Sequence, residues 1–357
     1  MRRTHLPIHF SLALLAACGG GTAPATAPAP GPAPARGMEV READVREQLQ
    51  ALAADSMEGR RTATEGAMRA AVYLARRLEA LGVQPAGDMA YFQIVPLAAD
   101  AGGRLRLMES MEALAELPAE ARRQSFNVIG MIPGSDPALR HEAVIVGAHY
   151  DHLGIGRPVD GDSIYNGADD DASGTVAVLE VARALARGPA PKRTVLFFFA
   201  TGEELGMLGT RWYLRHPVVP LDSTVAGLMI EMIGRPDSLA GGPGRAWLTG
   251  YERSTVSRIL QGAGVSIVAD PRPDQDFFNR SDNTPFAMLG VPAHALSSYG
   301  LHGDYHQPSD EVERIDFAHM TGVVQAAVDA TRALADGPRP EWLPGGRPAA
   351  PNRPAPR

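Results

Sequence analysis

The chain is predicted to be an α/β protein, with a central, largely parallel mixed β-sheet flanked by helices on both faces. Three observations predict this. Apolar runs of strand length alternate with helical patterns, the runs are apolar throughout rather than at every second residue, and polar residues gather just beyond their ends. The clearest runs are AVIVGA at 143–148, TVLFFFA at 194–200 and AGLMIE at 226–231. A strand covered by helices on both faces needs apolar side chains on both, which is why these runs do not alternate. Helical periodicity runs from Gly66 to Leu81, where Ala70, Tyr73, Leu74, Leu78 and Leu81 share a face and Gly82 supplies a stop. A second helix is expected to begin near Ser173, with Val176, Leu179 and Ala182 facing inward, and a third to run from Phe317 to about Leu334.

The 357 residues, 45% of them hydrophobic, suffice for one large domain, placed at 38–337. Thirty-four basic against 41 acidic residues leave a formal charge of -7, which offers no basic excess for a nucleic acid. Arg2 and Arg3 precede a short apolar run, Phe10 to Ala17, so residues 1–17 read as a signal peptide too brief to span a bilayer. The run ends in Leu15-Ala16-Ala17-Cys18, which resembles the lipobox of bacterial lipoproteins; that resemblance implies a lipid on Cys18 and anchoring to the bacterial envelope. An ordinary signal peptide with an incidental cysteine is the alternative. Cys18 is the sole cysteine, so no internal disulfide can form. Residues 18–37 read as a lipidated Cys and a Pro/Ala-rich tether, and 338–357 as a Pro-rich disordered tail.

In an open parallel sheet, ligands bind outside the carboxyl ends of the strands. Past the first strand lie His149, Tyr150, Asp151 and His152; past the second, Thr201, Gly202, Glu203 and Glu204; at the end of the third, Glu231. Between the first two strands the loop NGADDDASG brings Asp169, Asp170 and Asp171 ahead of a helix start. So many carboxylates on one rim repel unless a cation sits among them. Imidazole and carboxylate donors together suit a catalytic zinc, and a short carboxylate such as Asp170 is able to bridge two ions. Each residue has a plainer reading: Asp171 or Ser173 as a helix N-cap, Glu203-Glu204 as partners of a helix dipole.

Taken in order, GAHYDH (147–152), GADDDASG (167–174), ATGEELGMLGT (200–210), EMIG (231–234), SDNTPFA (281–287) and DYHQPSDEVERID (304–316) resemble the M28 family of zinc peptidases from about Leu49 to Leu334. The resemblance implies a zinc-exopeptidase fold and a di-zinc exopeptidase that releases N-terminal amino acids from peptides. It further implies that His149 and Glu231 hold one Zn2+, Glu204 and His306 the other, and that Asp170 bridges both. Glu203 would be the general base, Asp151 would orient His149 by accepting its second N–H, and Tyr305 would donate to the developing oxyanion. Two positions depart from the family: Glu231 stands where many members have Asp, and Asn283 where His often follows Ser-Asp. Ser281 and Asp282 are expected to cap the short helix that follows or to line the substrate pocket, with Asn283 beside them. His302 competes with His306 for the last ligand position, while His152, His216 and His294 are read as surface or packed histidines. A one-zinc glutaminyl cyclase and an inactive binding module on the same scaffold are the rival readings. HExxH and GxSxG motifs are absent.

Overall fold

Twelve strands organise the protein in the computed structural model, which describes residues 38–349: β1 (Gln84–Pro85), β2 (Phe92–Ala99), β3 (Leu105–Leu107), β4 (Arg122–Ile132), β5 (Ala143–His149), β6 (Gly154–Val159), β7 (Asp162–Tyr165), β8 (Thr194–Ala200), β9 (Thr224–Ile230), β10 (Ala246–Leu248), β11 (Ile267–Ala269) and β12 (Ala293–Ser297). The main sheet runs β11-β10-β12-β9-β5-β8-β4-β2-β3, with β1 paired to β4, while β6 and β7 form a separate hairpin. Its centre is parallel, through the pairs β5–β8, β5–β9 and β9–β12. The β4–β8 and β2–β4 pairs are antiparallel, so the sheet is mixed as expected.

The three strands read from the sequence lie side by side as β8-β5-β9, and every residue in them is buried. Their burial on both faces accounts for the unbroken apolar runs. The third run ends one residue early: Ile230 closes β9, and Glu231 follows with its N–H still donated to the Leu296 carbonyl at 3.0 Å.

The first predicted helix is α2 (Glu65–Ala80), following α1 (Glu42–Leu52); Thr64 caps it by accepting the Ala67 N–H at 3.4 Å. Ala70, Leu74 and Leu78 are buried beneath it, while Tyr73 and Leu81 pack at the edge of the same core. A short helix, α3 (Met111–Ala115), precedes α4 (Gly174–Arg187), which is buried from Gly174 through Leu185. Gly174 permits this start: a Cβ there would lie 2.1 Å from the Ile230 carbonyl oxygen at the end of β9. The remaining helices are α5 (Leu208–Tyr213), α6 (Val256–Gly262), α7 (Asn283–Met288) and α8 (Phe317–Asp336), the last two residues longer than predicted. No helix among the described residues is long and apolar enough to cross a membrane.

The structure corrects one boundary. Residues 338–349, expected as the start of a disordered tail, lie against the domain. Arg339 pairs with Glu142 at 2.8 Å, and Trp342 donates to the Gly290 carbonyl at 2.9 Å and bridges to Ser254. The expectations for residues 1–37 and 350–357, Cys18 included, lie outside the described residues.

Candidate metal centre

Asp170 sits where a wide turn, Ala168–Ser173, leads into α4, with a cis peptide between Asp170 and Asp171. The turn is held from beneath. Asp310 accepts the Asp169 N–H at 3.1 Å and the Asp170 N–H at 3.0 Å, and its own carbonyl accepts the Ala168 N–H at 3.0 Å. Arg235 braces Asp310 at 3.3 Å and Asp304 at 2.5 Å. The neighbouring aspartates face other partners: Asp169 accepts the Gly234 N–H at 2.6 Å and meets His302 Nε2 at 2.8 Å, while Asp171 accepts from Gly174 and Met232, each at 3.0 Å. With its neighbours so engaged, Asp170 alone presents its carboxylate to the rim.

Its two oxygens look in different directions. Oδ1 lies 3.3 Å from His149 Nε2, and Oδ2 lies 3.1 Å from His306 Nε2. His306 also reaches Glu204 Oε2 at 3.2 Å. Five parts of the chain thus converge: His149 from the end of β5, Asp170 from the turn before α4, Glu203 and Glu204 after β8, Glu231 after β9, and His306 from the loop before α8. His302, the competing histidine, instead holds Asp169 from behind.

His152 departs from expectation. It is buried, not a bystander: its Nδ1 lies 2.8 Å from Glu204 Oε1 and 3.9 Å from Asp170 Oδ2. Among the described residues, His152, Asp170 and Glu204 form a group compact enough to hold a cation. The reason is the chain's path after β5, which turns inward instead of leaving the site, and Gly167 makes room for the ring. A Cβ on Gly167, whose φ is +57°, would lie 2.5 Å from it. His216 is exposed and stacks on Trp212; His294 is packed.

Asp151 is also corrected in detail. His149 Nδ1 is 3.1 Å from the Asp151 backbone carbonyl but 3.9 Å from its carboxylate. The carbonyl is therefore the acceptor that orients the ring. The carboxylate is taken up elsewhere, accepting the Thr62 hydroxyl at 2.9 Å and the Glu203 N–H at 3.2 Å. It ties the backbone of Glu203 to the end of β5. Thr62 was invisible to motif reading because it lies in a turn almost ninety residues earlier; so was Arg60, which is fully buried and donates to the carbonyls of Leu52, Tyr150, Asn166 and Gly167.

The electrostatics follow from burial among like charges. No lysine or arginine pairs with Asp170, Glu203, Glu204 or Glu231 among the described residues. Burial pushes Glu203 well above the usual carboxylate range, and Glu231 and Glu204 add to that rise. Glu231 is pushed up to about 7 by burial, against a hydrogen bond from Ser281. Burial works to lower His149, but Asp170 and the field of Glu203 and Asp171 outweigh it and raise it. His306 is raised to about 10: its burial is overcome by its contacts with Asp170 and Glu204. The same contacts, with those of His149 and His152, hold Asp170 down despite burial. The carboxylates of the site therefore carry more negative charge than its own cationic groups balance, which suits it to hold cations. Apart from the Asp170 Oδ1 facing it at 3.3 Å, the buried Nε2 of His149 has no hydrogen-bond partner among the described residues, and two imidazoles facing opposite oxygens of one carboxylate suit a pair of borderline-soft divalent ions.

The adjoining pocket is walled by Trp247, Phe277, Tyr299, Tyr305 and Arg280, with Glu203, Glu204 and Glu231 at its inner end. Tyr305 stacks on His306 at 3.9 Å. Burial and the nearby Asp170, Glu204 and Glu231 raise its phenol, so it remains an O–H donor. Ser281, Asp282 and Asn283 stand behind this wall rather than on it. Ser281 touches Glu231, Asp282 makes no capping bond to α7, and Asn283 donates to the Phe278 carbonyl at 2.9 Å, fixing the turn that carries Phe277.

Comparisons with known proteins agree with this arrangement. The profile of peptidase family M28 matches residues 127–331. A probable leucine aminopeptidase 2 of Aspergillus fumigatus is 30% identical over 211 residues, covering 56% of this chain and 38% of that protein. The chain spans less than half the length of the curated relatives it matches first. Among solved structures, a zinc aminopeptidase from Bacillus subtilis superposes with a TM-score of 0.60 at 16% identity, covering 84% of this chain and 97% of the other. A glutaminyl cyclase from Porphyromonas gingivalis superposes at 0.57 with 17% identity, covering 82% and 97%. At such identities the two structures speak for the fold, a zinc-exopeptidase α/β architecture.

Proposed function

The chain belongs to peptidase family M28, and from that premise we propose that it is a di-zinc exopeptidase releasing N-terminal amino acids from peptides. His149 and Glu231 would hold one ion, Glu204 and His306 the other, with Asp170 between them. The observation that carries this reading is the division of Asp170, one oxygen toward His149 and the other toward His306. Zinc bound there supplies Lewis acidity, polarising a carbonyl oxygen and acidifying water.

The chain's own residues do the rest. Glu203 accepts the proton of the attacking water and later delivers it to the departing amine. Its raised proton affinity suits it to hold that proton between the two steps. Asp151, by accepting the Glu203 N–H, keeps the base in place relative to His149. Tyr305, which lines the pocket, would donate its O–H to the oxygen that gains charge. The remaining carboxylate surface attracts an α-ammonium, which favours cleavage from a free amino terminus.

The test is a panel of matched peptides with free and acetylated amino termini. The reading requires release of the first residue from the free peptides alone. Cleavage of the blocked set, or cyclisation of N-terminal glutamine without hydrolysis, would replace it with another activity. We also propose export and lipid attachment at Cys18, supported by its place after Leu15-Ala16-Ala17. Membrane partitioning should be lost in Cys18→Ala; unchanged partitioning would refute the anchor.

A further inference from the structure

Two arginines close to the pocket wall are neutralised by carboxylates. Arg272 forms a two-pronged pair with Asp237, and Arg235 is held by Asp304 and Asp310. Arg280 lines the pocket itself, is exposed, and makes no ion pair or side-chain hydrogen bond among the described residues. Its guanidinium lies 5.1 Å from the ring centre of Phe277. That ring stacks on Trp247 at 5.1 Å and meets Tyr299 at 5.9 Å, so the arginine stands at the end of an aromatic wall. Its backbone is set by the turn at 277–279, where the Arg280 N–H donates to the Phe277 carbonyl at 3.2 Å. Its charge is felt across the pocket, opposing the rise that burial imposes on both Tyr299 and Tyr305.

The pocket is therefore polarised: it combines the carboxylates of Glu203, Glu204 and Glu231, an aromatic flank and, among the described residues, the unpaired guanidinium of Arg280. A guanidinium offers a planar fork of donors that matches a carboxylate. We propose that Arg280 selects substrates carrying a carboxylate on the first or second residue, and that it disfavours basic ones. This rests on the peptidase reading above. Two substrate features supply the same group: the side chain of an acidic first residue, or the terminal carboxylate of a dipeptide.

The zinc-loaded full chain separates them with two matched pairs, the p-nitroanilides of Glu and Gln, and Leu-Gly against Leu-Gly-amide. In Arg280→Met the ratio of kcat/KM for the acid over its neutral partner should fall about 10–100-fold in at least one pair, the size of a lost charge-assisted hydrogen bond. Arg280→Lys should recover part of it. A fall in the first pair assigns the side chain, and in the second the peptide terminus. Ratios unchanged within about twofold in both pairs overturn the role of Arg280 while leaving the peptidase standing. A wild-type enzyme inert toward all four substrates overturns the peptidase reading and this inference with it.

Discussion

Two regions of the molecule bury imidazoles, and they do so to opposite effect. Beside β12, His294 is buried with Nδ1 facing the Thr249 carbonyl and Nε2 facing the Ser254 hydroxyl, both at 2.7 Å, between Phe278 and Trp342. Both ring nitrogens are satisfied by neutral groups, and burial lowers its pKa to about 4 against the Thr249 hydrogen bond. At the rim of β5, β8 and β9, equally buried His149 is raised, because carboxylates surround it. Burial alone drives an imidazole toward neutrality. Where the opposite happens, the surroundings carry more negative charge than the protein itself neutralises, and that surplus marks a place for cations.

The largest expected effect removes the base from the charged rim while leaving every imidazole in place. Glu203→Gln should lower kcat about 10²–10⁴-fold, the usual contribution of a positioned general base, with zinc content unchanged. Retained activity would break the assignment. Next comes the neutral region. Between pH 6.5 and about 4 the unfolded chain protonates His294 and the folded chain does not, so stability is full above that window and falls as pH drops through it. The loss amounts to about 3 kcal/mol across the window. Denaturant titrations over pH 4–7 should show a shallower slope in His294→Gln than in the wild type, and parallel slopes would contradict this. A smaller effect sharpens the rim from beneath. Asp310→Ala frees the backbone that carries Asp169 and Asp170, and should weaken zinc binding about 10–100-fold in a chelator competition. Unaltered affinity would show that the turn holds Asp170 unaided.

The same contrast explains what could be read from the sequence. β5, β8 and β9 were legible because strands covered on both faces must be apolar throughout, and their carboxyl ends then locate the rim. Glu203, Glu204 and Glu231 followed from that placement together with the family motifs. The pocket wall was not legible: Trp247 lies on a three-residue strand, Phe277 and Arg280 belong to a tight turn, and neither is long enough to carry a period. Nor did the spacing reveal His152, because beyond the end of β5 no periodicity says which way a side chain faces. Asp151 was placed in the right neighbourhood, but which of its oxygens orients His149 depends on Thr62 and the Glu203 N–H, partners set by tertiary structure. The packing of 338–349 escaped because Pro-rich composition conceals the anchoring Arg339 and Trp342.

The central claim is that Asp170 stands between two cations. Crystals of the zinc-loaded protein measured at the zinc absorption edge test it most directly. Two anomalous peaks should appear, one within bonding distance of His149 and Glu231 and the other of Glu204 and His306, each also bonded to one oxygen of Asp170. A single peak, or two that do not share Asp170, would contradict the account.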